Sequence, residues 1–93
     1  MQNILIIGAD RLGNIETNLK DYGFGKITHI NGRKVKAVHR EIPEQVDIIL
    51  VLTDFINHNL ANVIKSKAKK RNIPTVFARR SWCAIAKTLE KIS

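Results

Sequence analysis

Residues 3–8 read NILIIG. The run is short, continuous, rich in isoleucine and closed by glycine. It has no polar face to present to water, which is how a strand covered on both sides reads. Residues 46–53, VDIILVLT, repeat the signal more strongly. Two such runs in one short chain point to a parallel sheet with helices above and below it.

The remaining segments fit that frame. Residues 26–30, KITHI, form a weaker strand, and residues 74–78, PTVFA, a fourth. Between strands one and two, Leu12, Ile15, Leu19 and Tyr22 recur at helical spacing, and Gly23 is placed to stop the helix in the left-handed conformation. Val35, Val38 and Ile42 predict a short helix closed by Pro43. A longer helix is expected from about Phe55 to Arg71, with Ile56, Leu60, Val63, Ile64 and Ala68 on its inner face. The last helix carries Trp82, Ile85, Ala86, Leu89 and Ile92 inward. Strand and helix therefore alternate four times. Right-handed crossovers predict an α/β fold, a small Rossmann-like or flavodoxin-like three-layer sandwich on a four-stranded parallel sheet of order 2-1-3-4. No repeat or linker divides the 93 residues, so residues 1–93 are read as a single domain.

The totals narrow the function classes. An apolar share of 44% supports a folded globule, and the few aromatics make its core aliphatic. A core this small gains burial by self-association, so a homo-oligomer is expected. Sixteen Lys and Arg against eight Asp and Glu leave a net charge of +8, which favours anionic partners: a phosphorylated small molecule or nucleic acid. A single cysteine, Cys83, forms no internal disulfide and suits a reducing, cytoplasmic setting. The start of the chain has no signal-peptide pattern, and no run is long enough to cross a membrane.

The unusual polar residues gather after the strands. GADRLGN (8–14) follows strand one, NGRK (31–34) strand two, TDFINHN (53–59) strand three and ARRSW (78–82) strand four. In an open parallel sheet the carboxyl ends of the strands share one edge, where ligands bind. Gly8 and Gly13 flank a turn that lets backbone approach a phosphate. That turn is not G-x-G-x-x-G, no acidic residue follows strand two to hold a ribose, and there is no Walker G-K-[ST]. Arg11, Arg33, Lys34, Arg79 and Arg80 are expected around the same edge, offering guanidinium forks to phosphate or carboxylate oxygens. Cations beside a helix start oppose its dipole unless an anion joins them; the plain alternative is solvation, or pairing with Asp54 or Asp10.

The same edge carries Thr53, Asp54, Asn57, His58 and Asn59. Thr53 or Asp54 caps the long helix in the simple reading. Asp54 and His58, four apart on one helix, are also an acid–base candidate for a small enzyme. A phosphate-accepting receiver site would need a pair of acidic residues after strand one to hold magnesium. Only Asp10 stands there, which argues against that site. The histidines at 29, 39 and 58 lack metal-ligand spacing, so zinc is not expected. Haem would have to use His58 or Cys83, neither in an attachment motif. Trp82 heads an apolar stripe and reads as core, with stacking on a planar ligand as the alternative. Asn14 and Ser81 complete the ligand-edge set. Lys65, Lys67, Lys69, Lys70 and Arg71 are the cations a nucleic-acid binder would use together with Arg79 and Arg80.

Taken together these motifs resemble the bacterial family called domain of unknown function 2325, from Ile4 to about Leu89. The resemblance rests on Gly8, Asp10, Leu12, Gly13 and Asn14; on Gly32 and Arg33; on Thr53, Asp54, Asn57, His58 and Asn59; and on Arg79, Arg80, Ser81 and Trp82. It implies a cytoplasmic bacterial α/β module and supplies no reaction; the cofactor stays unknown. The reading is then a regulatory or ligand-binding module for an anionic, phosphate-bearing small molecule. A nucleic-acid binder, a small enzyme using Asp54 and His58, and a haem binder through His58 or Cys83 are the alternatives.

Overall fold

The computed structural model describes residues 2–31, 42, 44–56 and 58–92. Its strands are β1 (Asn3–Ile7), β2 (Lys26–Ile30), β3 (Ile48–Leu52) and β4 (Thr75–Ala78). Its helices are α1 (Asn14–Tyr22), α2 (His58–Lys70) and α3 (Trp82–Ile92). The short helix expected over Val35 and Val38 and closed by Pro43 lies outside the described residues, as do Gly32, Arg33, Lys34 and Asn57.

All strand pairs are parallel and the order is β2-β1-β3-β4, as the alternation of elements predicts. The chain starts at the centre and moves outward twice, in opposite directions. Crossovers of one hand then place α1 and α2 on opposite faces. Ile4, Ile6, Leu50 and Leu52 pack on one face with Ile15 and Leu19 of α1 and Ile85 and Leu89 of α3. Leu5, Ile7, Ile49 and Val51 pack on the other with Leu60, Ile64 and Ala68 of α2. β3 is buried along its whole length, which is why its sequence shows no alternation. β2 lies at the sheet margin and is half-buried, matching its weaker signal.

Gly23 ends α1 at φ 124°. Its N–H donates to the Lys20 carbonyl at 3.1 Å and the Phe24 N–H to the Leu19 carbonyl at 3.2 Å, the two bonds of a Schellman stop. Two positions expected inward are not. Tyr22 and Ile92, each the last residue of its helix, are 45% and 50% exposed. Leu12 is buried, yet it precedes α1 rather than lying on it.

Candidate functional site

Hydrogen bonds lace the segments that follow the strands. The Asn31 amide donates to the Asp10 carboxylate at 2.8 Å, joining the second segment to the first. The His29 ring meets the Gly8 carbonyl at 2.7 Å, and the Gly8 N–H donates to the Ile30 carbonyl at 3.0 Å. The Thr53 hydroxyl donates to the Ala78 carbonyl at 3.4 Å, and the Arg80 N–H to the Asp54 carboxylate at 2.9 Å. The Arg80 guanidinium donates to the Arg11 carbonyl through Nε at 2.9 Å and Nη2 at 2.7 Å. Segments 8–13, 53–56 and 78–82, with Asn31, thus form one rim at the carboxyl edge of the sheet.

Local backbone geometry explains the first segment. Gly8 has φ 112°, Ala9 φ 64° and Gly13 φ 54°. At Gly13 a Cβ atom would lie 3.5 Å from Nη2 of Arg80 in a conformation that side chains rarely adopt. The positive φ, not the space beside that guanidinium, is what favours glycine there. Gly13 is also the N-cap residue and offers no side chain to the first N–H groups of α1.

The two neighbouring arginines have separate positions. Arg80 is half-buried and fastened to a backbone carbonyl. Arg79 and Arg11 are exposed, and among the described residues neither side chain has an ion pair or hydrogen bond. The ion pair of Lys20 with Glu16, 3.6 Å, runs along α1 from its first turn. Pairing of Arg79 or Arg80 with Asp54 or Asp10 through side chains is therefore not what the structure has: Asp54 takes the Arg80 backbone N–H instead.

Several expectations need correction. The long helix starts at His58, not near Phe55. Thr53–Phe55 make one turn of 3-10 helix, and Ile56 is extended at φ −141° and ψ 146°. Neither Thr53 nor Asp54 caps α2, since both face the β4 segment. Asp54 and His58 are separated by that extended residue, so the helical i,i+4 relation expected of an acid–base pair does not exist. Ser81 stays on the rim segment 78–82 and also caps α3: its hydroxyl accepts the Ala84 N–H at 3.3 Å. Trp82 is half-buried against the core and meets Tyr22 edge-on at 6.1 Å, with ring planes at 74°. Asn14 and Asn59 are exposed on the first turns of α1 and α2.

The five cations considered for nucleic acid do not form one free face. Arg71 reaches back to the carbonyls of Ile42 and Glu44, at 3.2 Å for the latter. Lys67 is half-buried and not free, whereas Lys65, Lys69 and Lys70 are exposed. At about 100° per residue, positions 65, 67 and 70 point in different directions around α2. His58 and Cys83, the haem candidates, are exposed at the starts of helices on opposite faces of the sheet. No three His, Cys, Asp or Glu residues gather as a metal site among the described residues. Among those residues, too, no helix is long and apolar enough to cross a membrane.

Sequence reasoning overlooked a cleft on the α2 side of the same edge. It lies between α2 and β4, has a volume of about 210 Å³, and is lined by Thr53, Ile56, His58, Ala61, Lys65 and Phe77 among others. The alternation of PTVFA carried the clue, since it turns Phe77 away from the face that buries Val76 and Ala78.

A family model described as uncharacterized protein conserved in bacteria (DUF2325) matches residues 3–92. No curated protein and no solved structure matches the chain.

Proposed function

The chain belongs to the bacterial family DUF2325, and from that premise we propose that it binds an anionic, phosphate-bearing small molecule at the carboxyl edge of its sheet. The observation that carries this reading is the pair of exposed guanidiniums, Arg11 and Arg79, standing without ion pairs among the described residues on a rim laced by hydrogen bonds. Three features support it. Arg80 fixes the loop that presents Arg11. Gly13 leaves the start of α1 without a side-chain cap, so its N–H groups and dipole favour an anion. Asp54 is occupied by a backbone N–H, which leaves its carboxylate less available to compete for Arg79.

A module of this kind binds and reports; with Ile56 extended between them, Asp54 and His58 do not share the helical face on which the enzyme reading rested. Titration with inorganic phosphate, followed by amide resonances, tests the reading. Wild-type protein is expected to shift residues 9–14 and 79–82. Replacing Arg11 and Arg79 together with alanine is expected to weaken binding roughly tenfold or more, as losing charged hydrogen bonds would. Lys69→Ala/Lys70→Ala is expected to bind as wild type. Unchanged affinity in the double-arginine variant would remove the proposal.

A further inference from the structure

The cleft between α2 and β4 opens beside the rim. Thr53 lines it, and the next residue, Asp54, holds the Arg80 N–H. Phe77 lines it from β4, two residues before Arg79. Its walls differ in character. Val51, Ile56, Ala61 and Phe77 are apolar, while His58, Asn62 and Lys65 are polar or cationic. Among the described residues no carboxylate lines it. Among those residues, too, the side chains of His58, Asn62 and Lys65 have no hydrogen bond or ion pair.

Phe77 is the odd residue here. It is 41% exposed although it stands on the sheet face that α2 covers. β4 is the outermost strand, and Ala61 and Lys65, one turn apart, are the α2 residues that line the cleft there alongside Asn62. A methyl group at 61 is too short to cover the ring, and a lysine keeps its charged end in water. The fold thus leaves an aromatic face open next to hydrogen-bonding groups, at the end of the sheet where ligands bind.

We infer that this cleft receives a single aromatic or heteroaromatic ring carried by the anion that the rim holds. The ligand class is then a small phosphate ester of one ring. The inference rests on the rim reading for its anion and adds the ring. About 210 Å³ suits one ring and lies below the range of roughly 300–1,000 Å³ typical of drug-sized sites, which argues against a dinucleotide. The ring packs on Phe77 and Ile56, and Asn62, His58 and Lys65 meet its polar edge.

Phenyl phosphate and inorganic phosphate, titrated in parallel against the whole chain, test this. Phenyl phosphate is expected to bind roughly tenfold more tightly and to shift the amides of Ala61, Asn62, Lys65 and Phe77, which phosphate alone leaves in place. Ala61→Leu, which fills the cleft from a helical position, is expected to abolish that advantage while phosphate affinity stays as in wild type. Phe77→Ala is expected to reduce it likewise, and its amide spectrum shows whether the fold is kept. The inference is overturned if phenyl phosphate binds no better than phosphate, or if its advantage survives in a folded Ala61→Leu protein. Phosphate shifts at the rim without any ring effect would sink the cleft and leave the rim reading standing. Cleft shifts with phenyl phosphate but no rim shifts with either compound would overturn the rim reading and with it the bridged ligand. If neither compound shifts any resonance, both readings fall.

Discussion

Arg79 and Arg80 are adjacent in the chain and differ in environment. Arg80 donates twice to the Arg11 carbonyl and its own N–H is taken by Asp54, so it joins three loop segments. Arg79 has no side-chain partner among the described residues. Arg80→Ala is therefore expected to lower stability by about 1–2 kcal/mol, since it leaves a carbonyl without its charged donor. Arg79→Ala is expected to stay within about 0.5 kcal/mol of wild type. Urea unfolding of the two variants checks the contrast; equal losses would mean that Arg80 is not the fastener described here. The sequence marked both arginines as belonging to the edge. It did not separate them, because the Arg11 carbonyl is 69 positions away and is met only in the folded state.

At the scale of elements, the helix starts were the least legible. Periodicity located α2 and α3 through their apolar stripes, as Leu60, Ile64, Ala68, Ile85 and Leu89 are all buried. It did not locate the start of α2, where Thr53 and Asp54 turn toward β4 and hold a separate 3-10 turn. Nor did it show that Ser81 serves as a cap. Ser81→Ala is expected to lower stability by about 1 kcal/mol through loss of the bond to the Ala84 N–H. Ser81→Asp, which keeps an acceptor at the cap, is expected to retain it. Thermal unfolding of both variants distinguishes a capping hydroxyl from one with no structural part, for which the alanine variant would be unchanged.

At the scale of the whole molecule, a net charge of +8 favours anions in general, while the site proposed at the rim is specific to a small one. The two effects respond differently to salt. A site that holds one phosphate through two arginines is expected to weaken by about tenfold at most between roughly 50 and 200 mM salt. A surface that tracks a nucleic-acid backbone through many phosphates loses roughly 10³ or more over the same range. Phosphate titrations at both ionic strengths provide the comparison. The basic residues of α2 point several ways around its axis, and Arg71 is bound to the carbonyls of residues 42 and 44, so the charge is distributed rather than striped.

What the amino-acid sequence determined by itself is the layered fold. Unbroken apolar strands and one-faced helices have few arrangements that remove them from water, and the handedness of crossovers selects among those. The Schellman stop at Gly23 was equally local, since a left-handed residue at a helix end depends on its own backbone. Which side chains remain available at the edge was decided by tertiary structure alone. Arg80, Asp54 and Arg71 are each taken up by partners distant in sequence, and Phe77 is left open on the outermost strand. Such pairings depend on distances between segments, which no local pattern of residues records.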